Sequence, residues 1–109
     1  GQYDKAIPLF QEAQHDAKLR LASMTKIGLC FFLKGWYEDT IDIFQKALSE
    51  CPSEESAIAK DIRYNLARSY EESGQKKEAL EIYRKLAQLD FSYKDVGQRI
   101  DILRKDVTS

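Results

Sequence analysis

The chain repeats itself. "GQYDKAIPLFQEA", starting at Gly1, lies over "GWYEDTIDIFQKA", starting at Gly35, and Gly, Tyr, Ile, Phe, Gln and Ala recur in register at an offset of 34 residues, Gly1 to Gly35. A third unit follows at 39 residues, Gly35 to Gly74, where Phe31 meets Tyr70, Thr40 meets Ala79 and Phe44 meets Tyr83. A period of this size leaves a 109-residue chain few choices. It must stack like supersecondary units, each burying a face on the next.

Each unit reads as two helices. Before the glycine stands a pattern with helical spacing, as in Met24, Ile27, Gly28 and Phe31, and after it comes another, as in Ile41, Phe44 and Leu48. Gly35 and Gly74 fall where a helix stops and can take a left-handed cap. Asp16, Ser53 and Ser92 are candidate N-caps. Glu54 and Glu55, after Ser53, suit the positive end of a helix. Pro52 fits a turn, and Pro8 should bend its helix slightly. The five extra residues between the second and third units predict a longer first helix there, from about Ser53 to Ser73. In the last segment Val96, Ile100 and Leu103 mark one face of a single helix.

These residues resemble the tetratricopeptide repeat family. Its pattern of a helix–turn–helix with a leucine–glycine pair, a later aromatic, an alanine, another aromatic and a closing proline is carried by Ile27, Gly28, Phe31, Gly35, Tyr37, Phe44, Ala47 and Pro52, and again by Leu66, Ala67, Tyr70, Gly74, Ala79 and Tyr83. Thr40, Met24, Arg63 and Phe91 depart from it. The resemblance implies an all-α fold, a right-handed superhelix of stacked antiparallel helix pairs (a TPR-like α-solenoid) with a C-terminal capping helix. Residues 1–16 would be the second helix of a truncated repeat, 17–52 and 53–91 full repeats, and 92–106 the capping helix. The ending is similar to those of many bacterial members. The chain starts with Gly1 and reads as an excised piece, so the helix that would pair with Ala6, Ile7, Phe10 and Ala13 is expected upstream. The open N-terminal end could then form a homo-oligomer.

In such a fold the first helices line a concave surface. On this chain that places Ala22, Lys26, Leu29 and Leu33 there, with Thr25 and Phe32 beside them, and one repeat later Asp61, Asn65, Arg68 and Glu72, with Tyr64 and Glu71. The candidate partner-binding residues are therefore Lys26, Leu29, Phe32, Leu33, Tyr64, Asn65, Arg68 and Glu72. Adjacent helical residues point about 100° apart, so Phe31 is assigned to the core and Phe32 to the concave side. Phe32 and Leu33 have a second reading, as packing residues against the neighbouring repeat. Trp36 is read as a brace in its turn. A specialised branch of the family clamps a terminal carboxylate with lysine, asparagine and arginine. Here Leu29 and Asp61 occupy two of those places, and Asp61 would repel a carboxylate.

Other chemistry is not indicated. His15, the one histidine, has no Cys or second His near it in sequence, which argues against a metal site or a histidine base. The five glycines are isolated, and no phosphate loop appears. Carboxylates alternate with lysines at helical spacing, as on solvated faces. A formal net charge of −1 argues against a nucleic-acid surface. Cys30 and Cys51 read as reduced small hydrophobes. No apolar run is long enough to span a membrane. The reading is a non-catalytic protein–protein interaction module or adaptor, cytoplasmic, without cofactor, that takes a peptide or partner protein in its concave groove. The alternative is a scaffold that self-associates or docks within a larger protein.

Overall fold

The computed structural model describes residues 17–108. The expectations on Pro8, His15, Asp16 and the helix carrying Ala6, Ile7, Phe10 and Ala13 lie outside the described residues. Among the described residues five helices follow one another: α1 Ala17–Leu33, α2 Tyr37–Ser49, α3 Ala57–Glu72, α4 Lys76–Leu89 and α5 Val96–Thr108. No strand occurs among the described residues. Each helix packs on its neighbours in sequence, and α1 also touches α3. This is the TPR-like helical repeat fold expected from the sequence.

The turns explain why the helices pair. Gly35 and Gly74 have φ of +80° and +85°, a region glycine enters without a Cβ penalty. After α1, the Gly35 N–H donates to the Phe32 carbonyl at 2.9 Å and the Trp36 N–H to the Phe31 carbonyl at 2.9 Å. After α3, Gly74 donates to Glu71 at 3.1 Å and Gln75 to Tyr70 at 2.8 Å. Both are Schellman closures, which satisfy the last helical carbonyls and reverse the chain. At the first, the apolar contact that often accompanies this motif is the Phe31 and Trp36 rings, stacked at 5.6 Å.

The core is continuous along the stack. One cluster joins Met24, Ile41, Phe44, Ala47, Ile62 and Leu66 across α1, α2 and α3. A second joins Ala67, Ala79, Leu80, Tyr83, Leu86, Val96 and Leu103 across α3, α4 and α5. Tyr70 and Ile82 pack against both. Close approach depends on small residues: a Cβ on Gly28 would lie 2.5 Å from Phe44 Cε1. Thr40, at the usual alanine position, is fully buried and donates its hydroxyl to the Trp36 carbonyl at 2.8 Å. That bond removes the cost of burying a hydroxyl. Cys30 is buried, Cys51 is half-buried, and both are free thiols. Burial pushes both thiols up from their ordinary value.

Four local expectations need correction. The cap of α3 is Ser56, whose hydroxyl accepts from the Ala59 N–H at 3.2 Å; Ser53 instead shapes the turn before it, accepting from the Glu55 N–H at 3.2 Å. The helix therefore starts at Ala57. The inserted residues are held as a strap, because Glu54 reaches Arg63 at 3.5 Å and Lys85 at 3.6 Å. The last helix begins at Val96, and Ser92 donates to Asp90 at 3.1 Å instead of capping it. The reason is that Tyr93 and Lys94 are drawn toward Asp61 on α3. Phe31 is only half-buried, unlike the core residues around it. Its counterpart Tyr70 is half-buried as well, although it packs against both clusters and accepts from Gln45 Nε2 of the preceding pair at 2.6 Å.

Candidate functional site

The candidate surface runs along the first helices of the pairs. On α1, Lys26, Leu29 and Leu33 share a side by their 3- and 4-residue spacing. Lys26 is exposed, Leu29 is half-buried against the core cluster, and Leu33 is 59% exposed. Phe32 is half-buried. It meets Tyr37 edge-on at 5.4 Å, and the Arg68 guanidinium lies 4.6 Å from its ring centre. The structure thus brings Phe32 and Arg68 together across α1 and α3.

On α3, Asp61, Asn65, Arg68 and Glu72 recur at helical spacing, with Tyr64 beside them. Asn65 donates to the Asp61 carbonyl at 3.0 Å and accepts from Arg68 Nη1 at 3.4 Å. Glu72 is exposed. Tyr64, Arg68, Glu71 and Glu72 line a hollow of about 130 Å³ together with Asp95 and Arg99. Lys26, Leu29 and Leu33 border the polar residues of α3 by register alone.

Beyond α3 a tyrosine network takes over. Tyr64 donates to Asp95 Oδ1 at 2.5 Å, Tyr93 donates to Asp61, and Tyr83 donates to Glu71 at 3.1 Å. Arg99 pairs with Glu71, and Lys94 pairs with Asp61 at 3.4 Å. The three rings meet edge-on, Tyr64 lying 5.9 Å from both Tyr83 and Tyr93. Lys94 adopts φ 44°, which places its ammonium 4.9 Å from the Tyr64 ring centre. Burial pushes the Tyr64 phenol up to about 12, aided by its bond to Asp95. Burial likewise raises Tyr83, and burial with the bond to Asp61 raises Tyr93. These phenols are neutral donors at neutral pH. Asp61, expected to repel a carboxylate, has its charge met by Tyr93 and Lys94.

Tyr93, Lys94, Asp95 and Arg99 adjoin the candidate surface without having been selected from the sequence. A signal existed: Asp95 and Arg99 stand 34 residues after Asp61 and Asn65, the repeat offset itself. Trp36 braces its turn against Phe31, with Lys34 Nζ 4.6 Å from its ring centre. Among the described residues no group of His, Cys, Asp and Glu is placed to hold a metal ion, and no helix is long and apolar enough to cross a membrane. The surface offers donors, acceptors and apolar contacts.

Residues 61–93 match the tetratricopeptide repeat family model, from within α3 through α4 to the link before α5. No curated protein matches the chain. Repeats of this family generally serve as protein–protein interaction modules. The matched segment carries the glycine-closed helix pair and the Ala67–Ala79–Tyr83 packing, and α1 and α2 build a like pair before it; residues 61–93 are a tetratricopeptide repeat.

Proposed function

We propose that this chain is a non-catalytic interaction module that binds a peptide or partner protein along the side shared by α1 and α3. The observation that carries the reading is Leu33. It is 59% exposed on a helix whose other large apolar residues are at least partly buried from Met24 onward, and it lies one residue from the Phe32–Arg68 contact. An apolar residue held out beside a half-buried arginine suits an anchor site, where one side chain packs and the polar rim sets orientation. Leu29 supports the same surface from beneath, packed on the core cluster.

The test compares proteins captured by the wild-type chain with those captured by Leu33→Glu/Arg68→Ala and by Glu81→Arg, a control on the exposed side of α4. Partners lost with the first variant and kept with the second support the groove. Identical capture by all three chains rejects it. Leu33 is the better apolar target, because Leu29→Glu would also disturb the core.

A further inference from the structure

We propose that the segment bound on the α1–α3 side presents a single carboxylate side chain between apolar residues; this rests on the groove reading above. The cations around the tyrosine network are already matched. Lys94 sits on Asp61 and Arg99 on Glu71. Arg68 differs. It makes no ion pair with a described residue, and its one hydrogen bond, to Asn65 Oδ1, is long at 3.4 Å. Its guanidinium is held over the Phe32 ring at 4.6 Å.

A guanidinium carries five N–H donors in a planar fork, and stacking on an aromatic face leaves the edge of the fork open. A carboxylate is the group that fills such an edge with two parallel bonds. Holding the fork in place beforehand lowers the ordering cost of binding. Lys26, exposed on α1 and also without an ion pair to a described residue, adds a second positive charge on the same side. Leu33 supplies the apolar contact. Glu72 limits the acid count: it is exposed one turn after Arg68 and opposes a second carboxylate there. One acid flanked by apolar side chains fits this surface, and an acidic run does not.

The experiment uses short acetylated, amidated peptides with a fluorophore, so that no terminal carboxylate is present. The probes are a leucine-rich peptide with one central Glu, the same peptide with Gln, the same with Lys, and one with a run of Glu. Binding to the 109-residue chain is followed by fluorescence anisotropy. The single-Glu probe should bind about tenfold or more tighter than the Gln probe, the usual weight of a charge-assisted hydrogen bond. It should also outbind the Glu run, and added salt should narrow its advantage. Arg68→Gln should erase the preference for Glu over Gln, and Arg68→Glu should turn it toward the Lys probe, with helicity checked by circular dichroism. If the Gln or Lys probe binds as tightly as the Glu probe and Leu33→Glu abolishes all binding, the groove stands and the acid preference is overturned. If Leu33→Glu leaves Glu-probe binding unchanged, or if no probe binds, the groove reading falls and this inference with it.

Discussion

The ring of Phe44 occupies the space where a side chain on residue 28 would begin: a Cβ there would lie 2.5 Å from Cε1 and 2.7 Å from Cζ. Phe44 is fully buried between α1 and α3, so its ring has no free direction in which to retreat. Gly28→Leu should overpack this contact and cost about 1–3 kcal/mol or more. Urea unfolding checks it. Gly28→Ala should also lower the midpoint, and adding Phe44→Leu should recover part of that second loss, because the two sites share one contact and do not add. An unshifted midpoint for Gly28→Leu would mean the pair is not held as described.

Gly74 is constrained for a different reason. A Cβ there meets nothing within 4 Å, yet its φ is +85°. Gly74→Ala should therefore cost about 1–2 kcal/mol through backbone conformation alone. Gly74→Asn should cost less, since asparagine tolerates the left-handed region. Thermal melts of the two variants give the comparison.

Alkaline pH should unfold the chain from its C-terminal half. Tyr64 is raised from 10.0 to about 12, and Tyr83, Tyr93 and Tyr70 are raised as well. A folded value above the unfolded one means the stabilisation is complete below pH 10.0 and is lost as pH rises through the folded value. Phenolate absorbance should lag a free-tyrosine titration and then rise together with loss of helicity. A simple titration at the ordinary value, with helicity retained, would contradict the network.

The contact of α5 with α3 should depend on Arg99. Its guanidinium pairs with Glu71, whose other oxygen accepts from Tyr83. The Glu71 side chain is only 16% exposed, so Arg99→Ala leaves a poorly solvated charge and should cost about 1–3 kcal/mol. Hydrogen exchange should quicken in α5 and leave α1 and α2 near their wild-type rates.

The helix pairs, the glycine caps and the close packing at Gly28 follow from local spacing and a repeat register, and both are written along the chain. The start of α3 was not legible, because Ser53 and Ser56 each satisfy the capping rule. The choice is settled by Glu54 reaching Arg63 and Lys85, residues distant in sequence. Helical spacing alone puts Tyr93, Lys94 and Asp95 at the start of a helix, whereas their bonds run to residues about thirty positions earlier. Helical spacing puts Phe32 and Arg68 each on the surface, but their contact joins two separate helices, and no spacing rule reaches across them.

The placement of the aromatic residues gives the protein two separate optical reporters. Its only tryptophan, Trp36, lies at the turn between α1 and α2, stacked on Phe31. The coupled rings of Tyr64, Tyr83 and Tyr93 lie between α3 and the end of the chain. Because each helix packs chiefly on its neighbours, stability in such a stack is a sum of unit and interface contributions. Tryptophan emission therefore follows the melting of the first pair, and the tyrosine circular dichroism that a Tyr64→Phe variant loses follows the second pair and α5. The gap between the two melting curves, recorded on one sample, measures how tightly the pairs are coupled.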